Sequence, residues 1–389
     1  MAYAINGDSR DNFLIATSAA DEIRGGAGND TVSYERSTTG VTVRLDELTP
    51  TGWWAIDFLL DFLDDFIADG SGGFAQGDDL TSIENVTGSI HADRLYGNWL
   101  ANTLSGQFGD DALYGNGGGD VLMGDEGNDQ LFGGAGDDVL IGGAGADRLD
   151  GGTGFDVASY RHATGSVFAS LGINYFGGEA VGDSYVSIEA LEGSAFADVL
   201  IGGSNGDTLL GLGDRDELFG HEGADTLDGG NGGDILSGGD QNDTLIGGDS
   251  GDSLSGGNHN DILLGGAAND WLSGDGGNDT LNGGAGIDVL AGGEGNDLFV
   301  LADLGEYDTI TDFVRGQDKA DLRSIDAVAG GGDNSFTWIG SAAFSGVAGQ
   351  LRVFALNGGY VVSGDVNGDA VADITFGTNV ELTSGDVIL

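Results

Sequence analysis

The most regular chemistry in this 389-residue chain is carried by aspartates spaced nine residues apart. From Gly193 to Val300 the sequence divides without a gap into twelve nonapeptides. The sixth residue of every one is an aspartate: Asp198, Asp207, Asp216, Asp225, Asp234, Asp243, Asp252, Asp261, Asp270, Asp279, Asp288 and Asp297. From Gly88 to Ser159 eight more nonapeptides place Asp93, Asn102, Asp111, Asp120, Asp129, Asp138, Asp147 and Asp156 at that position. A short array of three begins at Gly7, with Asn12, Asp21 and Asp30. Glycines recur at the first, second and fourth positions and a leucine at the eighth, so the unit reads Gly-Gly-x-Gly-x-Asp-x-Leu-x. A carboxylate set among glycine-turn carbonyls is an oxygen-only donor set, which suits a hard cation such as Ca2+.

Each unit needs its neighbours before that chemistry exists. Glycine lets the backbone turn tightly through positive φ. The x-Leu-x that follows is long enough for a three-residue strand with one inward side chain. A single unit cannot bury a core, so units must stack. Two units per coil, at about 4.8 Å per coil, predict an all-β fold, a right-handed parallel β-roll or β-helix solenoid with leucines inside and turns along both edges. Stacking brings carboxylates and turn carbonyls of successive coils together to hold multiple Ca2+ ions. The candidate ligand side chains are those of Asp30, of Asp111 to Asp156 and of Asp207 to Asp297 in this register. The candidate carbonyls include those of Gly133, Gly134, Gly136, Gly142, Gly143, Gly145, Gly229, Gly230, Gly232, Gly283, Gly284 and Gly286. His91, Leu100, Phe196, His259 and Ala268 stand at the fourth position, where a side chain is expected to strain the turn. Asn12 and Asn102 lack the carboxylate charge. Weaker calcium binding is expected at all seven places.

Composition supports a cation-dependent fold. Asp and Glu number 65 against 12 Lys and Arg, a net charge of −53, with Lys319 the sole lysine. Such a chain repels nucleic acid and anionic membrane surfaces, and repels itself when compact unless cations neutralise it. Gly supplies 78 residues, but the single proline excludes a collagen helix. The absence of cysteine excludes disulfides and thiolate sites. No apolar run is long enough to span a membrane, and the first residues have neither the basic region nor the apolar core of a Sec-type signal.

Two insertions, 34–87 and 160–192, separate the arrays 1–33, 88–159 and 193–300. They resemble each other: one closes Ser82-Ile83-Glu84-Asn85-Val86, the other Ser187-Ile188-Glu189-Ala190-Leu191. The pattern predicts a strand over 41–45 and an amphipathic helix over 53–67. Each insertion is expected to bulge from the solenoid and rejoin the same stack.

The nonapeptide is that of the RTX (repeats-in-toxin) calcium-binding β-roll family, which the chain resembles. Residues 301–389 resemble the C-terminal secretion domain of serralysin-type metalloproteases. The similarity lies in Asp308-Thr309-Ile310-Thr311-Asp312-Phe313, Gly316-Gln317-Asp318-Lys319-Ala320-Asp321-Leu322, Phe344 to Arg352, Gly364 to Asp373 and the terminal Asp386-Val387-Ile388-Leu389. The resemblance implies a secreted, extracellular protein that folds on calcium after export. A type I ABC exporter would read the Asp386–Leu389 region, with no cleaved N-terminal signal. It further implies a structural or adhesive role, with extracellular polysaccharide or a host or cell surface as the partner. The paired insertions are also similar to those in the repeat modules of mannuronan epimerases. A non-catalytic subunit or remnant of an RTX exoenzyme, protease or polysaccharide-modifying, is therefore the competing reading.

No enzyme is expected. The chain has four histidines, His91, His162, His221 and His259, and no pair four apart around a glutamate, as a zinc protease requires. The one Gly-x-Ser-x-Gly match, Gly202 to Gly206, is a repeat turn. Asp308 and the set Asp365, Asn367, Asp369 and Asp373 are further metal candidates. The latter invites an EF-hand-like reading, yet Ala370 stands where that loop needs glycine and Phe376 where it needs glutamate. A tight hairpin turn is the alternative there.

Overall fold

The structure is a computed structural model that describes residues 4–16, 22–45, 79–81, 83–172, 177–301, 307–325 and 335–389. The chain forms two compact units, the first of residues 1–168 and 174–192, the second of 169–173 and 193–389. Both are parallel β-solenoids, so the all-β expectation holds, and the one helical element among the described residues is a 3-10 turn, Gly178–Ala180. The helix expected over 53–67 lies outside the described residues.

In the first unit, six strands run in parallel in the order Ser184–Val186, Arg148–Thr153, Gln130–Ala135, Ala112–Gly117, Arg94–Tyr96 and Thr42–Arg44. Strands from the alternate nonapeptides, among them Thr103–Phe108, Val121–Glu126 and Val139–Ala144, form a second parallel sheet. Both insertions return to that second sheet: Asn85–Thr87 pairs with Thr31–Ser33, and Ala190–Glu192 with Val157–Ser159. Register sets Leu113 beside Leu131 and Leu122 beside Leu140, two nonapeptides apart. That is the spacing expected for two units per coil.

The leucine column is the core. Leu95, Leu104, Leu113, Leu122, Leu131, Leu140 and Leu149 are wholly buried, each contributing about 1.5–3 kcal/mol from apolar burial. Strands such as Val121–Glu126 span six residues rather than the three expected. The chain keeps pairing beyond the leucine because the second residue of the next unit takes positive φ, as at Asn116 and Asp125 (φ 72° and 71°), and still matches its neighbour in the adjoining coil. On the outer face, Tyr96, Tyr114 and Phe132 stack, with centroids 4.6 and 4.9 Å apart and planes within 7°. Arg44 lies over the Tyr96 ring and Arg148 over that of Phe132.

The second unit repeats the construction. Leu200 to Leu290 and then Phe299 form its buried column. Beyond the last nonapeptide, Tyr307–Ile310 and Lys319–Asp321 continue the two sheets as parallel strands. The terminal strand Val387–Ile388 pairs with Lys319–Asp321. Gln350–Leu356, Gly359–Asp365 and Ile374–Thr378 form an antiparallel sheet whose last strand pairs with Tyr307–Ile310.

Candidate metal sites

The sixth-position aspartates form columns along the edges of each solenoid. In each column the N–H of one aspartate donates to Oδ1 of the aspartate one coil later. One column of the first unit runs Asp93, Asp111, Asp129, Asp147, and another Asn102, Asp120, Asp138, Asp156, with N···O distances of 2.7–2.9 Å. The second unit has Asp198, Asp216, Asp234, Asp252, Asp270, Asp288 on one edge and Asp207, Asp225, Asp243, Asp261, Asp279, Asp297 on the other, at 2.7–3.0 Å. These columns end on residues of the C-terminal segment: Asp288 N–H donates to Asp308 Oδ1 and Asp297 N–H to Asp318 Oδ1, both at 3.1 Å.

Oδ1 is thus satisfied, and Oδ2 is the atom that matters. In Asp30, Asp111, Asp120, Asp129, Asp138, Asp147, Asp156, Asp216, Asp225, Asp234, Asp243, Asp252, Asp261, Asp270, Asp279 and Asp297, Oδ2 is buried without a hydrogen-bond partner among the described residues. A buried carboxylate oxygen in that state is costly unless a cation reaches it. From Asp111 to Asp147 and from Asp216 to Asp297, each of these Oδ2 atoms packs against the first glycine of its own unit. A Cβ on Gly124 would overlap Asp129 Oδ2 and meet the Gly142 carbonyl oxygen at 2.6 Å. Gly229 likewise presents its carbonyl 2.7 Å from a Cβ on Gly211. At the fourth position, Gly136, Gly145, Gly232 and Gly286 have φ between 127° and 159°, and a Cβ on any of them would overlap a carbonyl of the preceding coil. Gly134, Gly143, Gly230 and Gly284 take positive φ at the second position, while Gly133 and Gly283, like Gly142 and Gly229, fill the first.

No group of three or more acidic or histidine side chains converges among the described residues. A cation here must therefore be held by one or two carboxylates together with backbone carbonyls, and the edges offer both. The donors are all oxygen, with turn carbonyls facing carboxylates, and this fits Ca2+. Electrostatics agree. Loss of hydration on burial, opposed by the backbone N–H and reinforced by neighbouring aspartates, pushes the Asp111 carboxyl up to about 8. The same causes bring Asp120, Asp129, Asp216, Asp225, Asp252, Asp261, Asp270 and Asp279 to about 7. Burial against the backbone N–H raises Asp147 and, with neighbouring charges, Asp156 and Asp243 to about 6. Burial in the columns thus disfavours the charged form of these carboxyls relative to exposed aspartates, a cost that a cation would offset.

The first units of the arrays close differently. Ser89 donates its N–H to Asp93 Oδ2 at 2.5 Å and its hydroxyl to Oδ1 at 3.0 Å, while His91 N–H donates to Ser89 Oγ. Ser194, Asp198 and Phe196 repeat this arrangement. Gly203 N–H takes Asp207 Oδ2 at 2.5 Å, so Asp207, though in the repeat register, is spent within its own turn. Asn98 N–H takes Asn102 Oδ1, and Asp8 N–H takes Asn12 Oδ1. His91, Leu100 and Phe196 stay outside the left-handed region, because the side-chain-capped turn does not pass through it; the strain expected there is absent. His259 and Ala268 do carry positive φ, 83° and 78°, yet Asp261 and Asp270 keep the open arrangement. Sequence reading missed the capping role of Ser89 and Ser194, although a serine in place of the second glycine was its signal.

Three further carboxylates join the columns from outside the nonapeptides. Asp147 N–H donates to Asp183 Oδ1 at 2.8 Å, and Asp183 Oδ2 accepts the Tyr160 hydroxyl at 2.6 Å, so a hydroxyl proton occupies that end. Asp30 N–H and Asp156 N–H donate to Glu84 and Glu189. The shared Ser-Ile-Glu of the insertions was the available signal for the two glutamates.

The loop from Asp365 to Asp373 has a different character. Asp365 accepts from Gly368 and Ala370 N–H at 2.6 and 3.0 Å. Asp373 accepts from the N–H groups of Val366 and Asn367 and from the Asn367 amide. Asn367 accepts from Asp369 N–H, and Asp369 from Val371 N–H. The loop satisfies itself as a turn.

Compared with known families, the chain matches the model of the RTX calcium-binding nonapeptide repeat (4 copies) over residues 6–36, 96–131, 123–158, 188–218, 201–236, 237–272 and 273–302, more than half its length. No curated protein matches it.

Proposed function

Since the chain belongs to the family of the RTX calcium-binding nonapeptide repeat, we propose that it is a secreted protein whose solenoids fold when calcium enters the aspartate columns. The observation that carries this reading is the row of buried Oδ2 atoms without hydrogen-bond partners, repeated coil after coil. Calcium supplies the positive charge that these oxygens lack, and each ion offsets two of the 53 excess negative charges. At free calcium of one to ten times Kd, each ion adds about 0.4–1.4 kcal/mol by mass action. Summed over the columns, that rivals the 5–15 kcal/mol stability of an ordinary domain. Where calcium is scarce the charge holds the chain open, a state suited to export through a type I exporter that reads Asp386–Leu389. Outside the cell, calcium folds it.

The role that best accords with this chemistry is structural or adhesive, toward polysaccharide or a cell surface, and not enzymatic. Circular dichroism and small-angle scattering of the full chain, with calcium and with chelator, test the reading. Compaction and β-structure that require calcium are expected; a chain equally folded in both sinks it.

A further inference from the structure

At two of the places where the columns leave the nonapeptide, a glutamate takes over as acceptor, and both are built alike. Asp156 N–H donates to Glu189 Oε2 at 2.9 Å, and the N–H groups of Glu189 and Ala190 return to the Asp156 carbonyl at 3.0 Å each. Asp30 N–H donates to Glu84 Oε2 at 2.8 Å, and the N–H groups of Glu84 and Asn85 return to the Asp30 carbonyl at 3.2 and 3.0 Å. In a regular coil the acceptor of that N–H is the next aspartate, presented by a glycine turn. Here no glycine turn precedes the acceptor, and the side chain is one methylene longer. Ser187 carries the backbone through φ 49° instead. Its carbonyl oxygen lies against Gly151, as the Gly133 carbonyl lies against Gly115 in the regular column.

The second insertion thus rebuilds the donor set of a column turn without its sequence. Asp30 and Asp156 are fully buried, and their Oδ2 atoms have no hydrogen-bond partner among the described residues. No Lys or Arg is paired with Asp30, Glu84, Asp156 or Glu189 among the described residues. A buried carboxylate oxygen without a hydrogen bond, on a residue whose own N–H anchors a second carboxylate, calls for a cation.

We propose that Asp156 with Glu189 and the Ser187 carbonyl, and Asp30 with Glu84, each hold one divalent cation that docks an insertion onto the solenoid. The inference rests on the calcium reading above and extends it to residues outside the repeat.

The test counts calcium bound per full-length chain, by equilibrium dialysis and elemental analysis at saturating calcium, in wild type, E189Q, E84Q and the double variant. Gln keeps an oxygen for the N–H of Asp156 or Asp30 and loses only the charge. Each single variant is expected to bind one ion fewer and the double two fewer, with far-UV dichroism unchanged. A full count in E189Q or E84Q overturns the proposal, because a glutamate that merely accepts a hydrogen bond is replaced by Gln without loss of metal. Should a Gln variant fail to fold, Glu189→Asp or Glu84→Asp restores the charge: recovery of fold and count supports the site, and failure to recover either overturns it. D243N, within a regular column, separates the two readings. Loss of calcium in D243N but not in E189Q sinks this inference alone, whereas a wild-type chain that binds no calcium sinks the function proposed above.

Discussion

The turn around Asp243 and the loop from Asp365 to Asp373 are both acidic, glycine-containing and anchored by a buried aspartate, yet they are chemically opposite. In the loop the carboxylates accept N–H groups of the loop itself. In the column, Asp243 spends Oδ1 on the Asp225 N–H and leaves Oδ2 buried without a hydrogen bond. Acid content therefore does not make a cation site; the supply of N–H groups decides it. A turn that uses its own donors is complete, and a coil that hands each donor to the following coil leaves one oxygen per rung to something else.

The largest effect that tests this contrast is removal of divalent cations. The ladder amides of Asp225, Asp234 and Asp243 should lose hydrogen-exchange protection corresponding to roughly the 5–15 kcal/mol of a domain. The amides of Val366, Gly368 and Ala370 should lose the least. Equal loss in both regions would break the comparison.

Next comes pH. The folded-state carboxyls of Asp111, Asp129, Asp225 and Asp261 lie at about 7 to 8, above the ordinary 3.8. Without metal, the folded columns bind more protons than the unfolded chain between these values. Their contribution to stability is full below about pH 4 and lost as pH rises through about 7–8. A metal-free chain should gain β-structure on acidification over that window. Calcium added near pH 6.5 should release protons, measurable in weak buffer. Folding that improves with rising pH in chelator would contradict the burial of uncompensated carboxyls.

Smaller again is the loss of one core side chain. Leu245→Ala in the calcium-loaded protein should cost about 2–5 kcal/mol by thermal or denaturant unfolding, since Leu245 is wholly buried. Last, D243N and D365N should each cost about 1–3 kcal/mol in calcium. They should part company in chelator: D243N there removes a buried charge and ceases to destabilise, while D365N still strips the acceptor from one of Gly368 and Ala370, whose N–H groups bond the two Asp365 oxygens, and costs the same. A D365N penalty that depends on calcium would turn the loop into a metal site.

Much of this was legible in the sequence. The nine-residue period fixed two units per coil, the leucine column and the aspartate columns, because an eighth-position leucine can be buried only if coils stack in register. Period alone did not reveal which oxygen of Asp243 is spent and which is left. That depends on the coil eighteen residues away donating its N–H to Oδ1. Nor did it separate Asp207, whose turn closes on Gly203 N–H, from Asp225, whose turn stays open; Asn205 in place of the fourth glycine was the signal in the Asp207 unit. Ser89 and Ser194 were readable as departures from glycine, but their hydroxyl caps needed a structure in which Asp93 and Asp198 point back into their own turns. Glu84 and Glu189 were visible only as a motif shared by two insertions, since nothing in spacing says that a glutamate reached over an insertion fills an aspartate's place.

The stacked rings on the outer face of the first unit have a spectroscopic consequence. Tyr96 and Tyr114 lie face to face at 4.6 Å with planes 6° apart, so their electronic transitions are coupled and the pair absorbs as one chromophore. A slip of one residue along the strand would set Leu113 or Gly115 opposite Tyr96 and turn the ring to the other face of the sheet. The near-ultraviolet dichroism of the unlabelled protein therefore reports the register of the first unit's coils, through a two-signed tyrosine band that vanishes when the rungs shift.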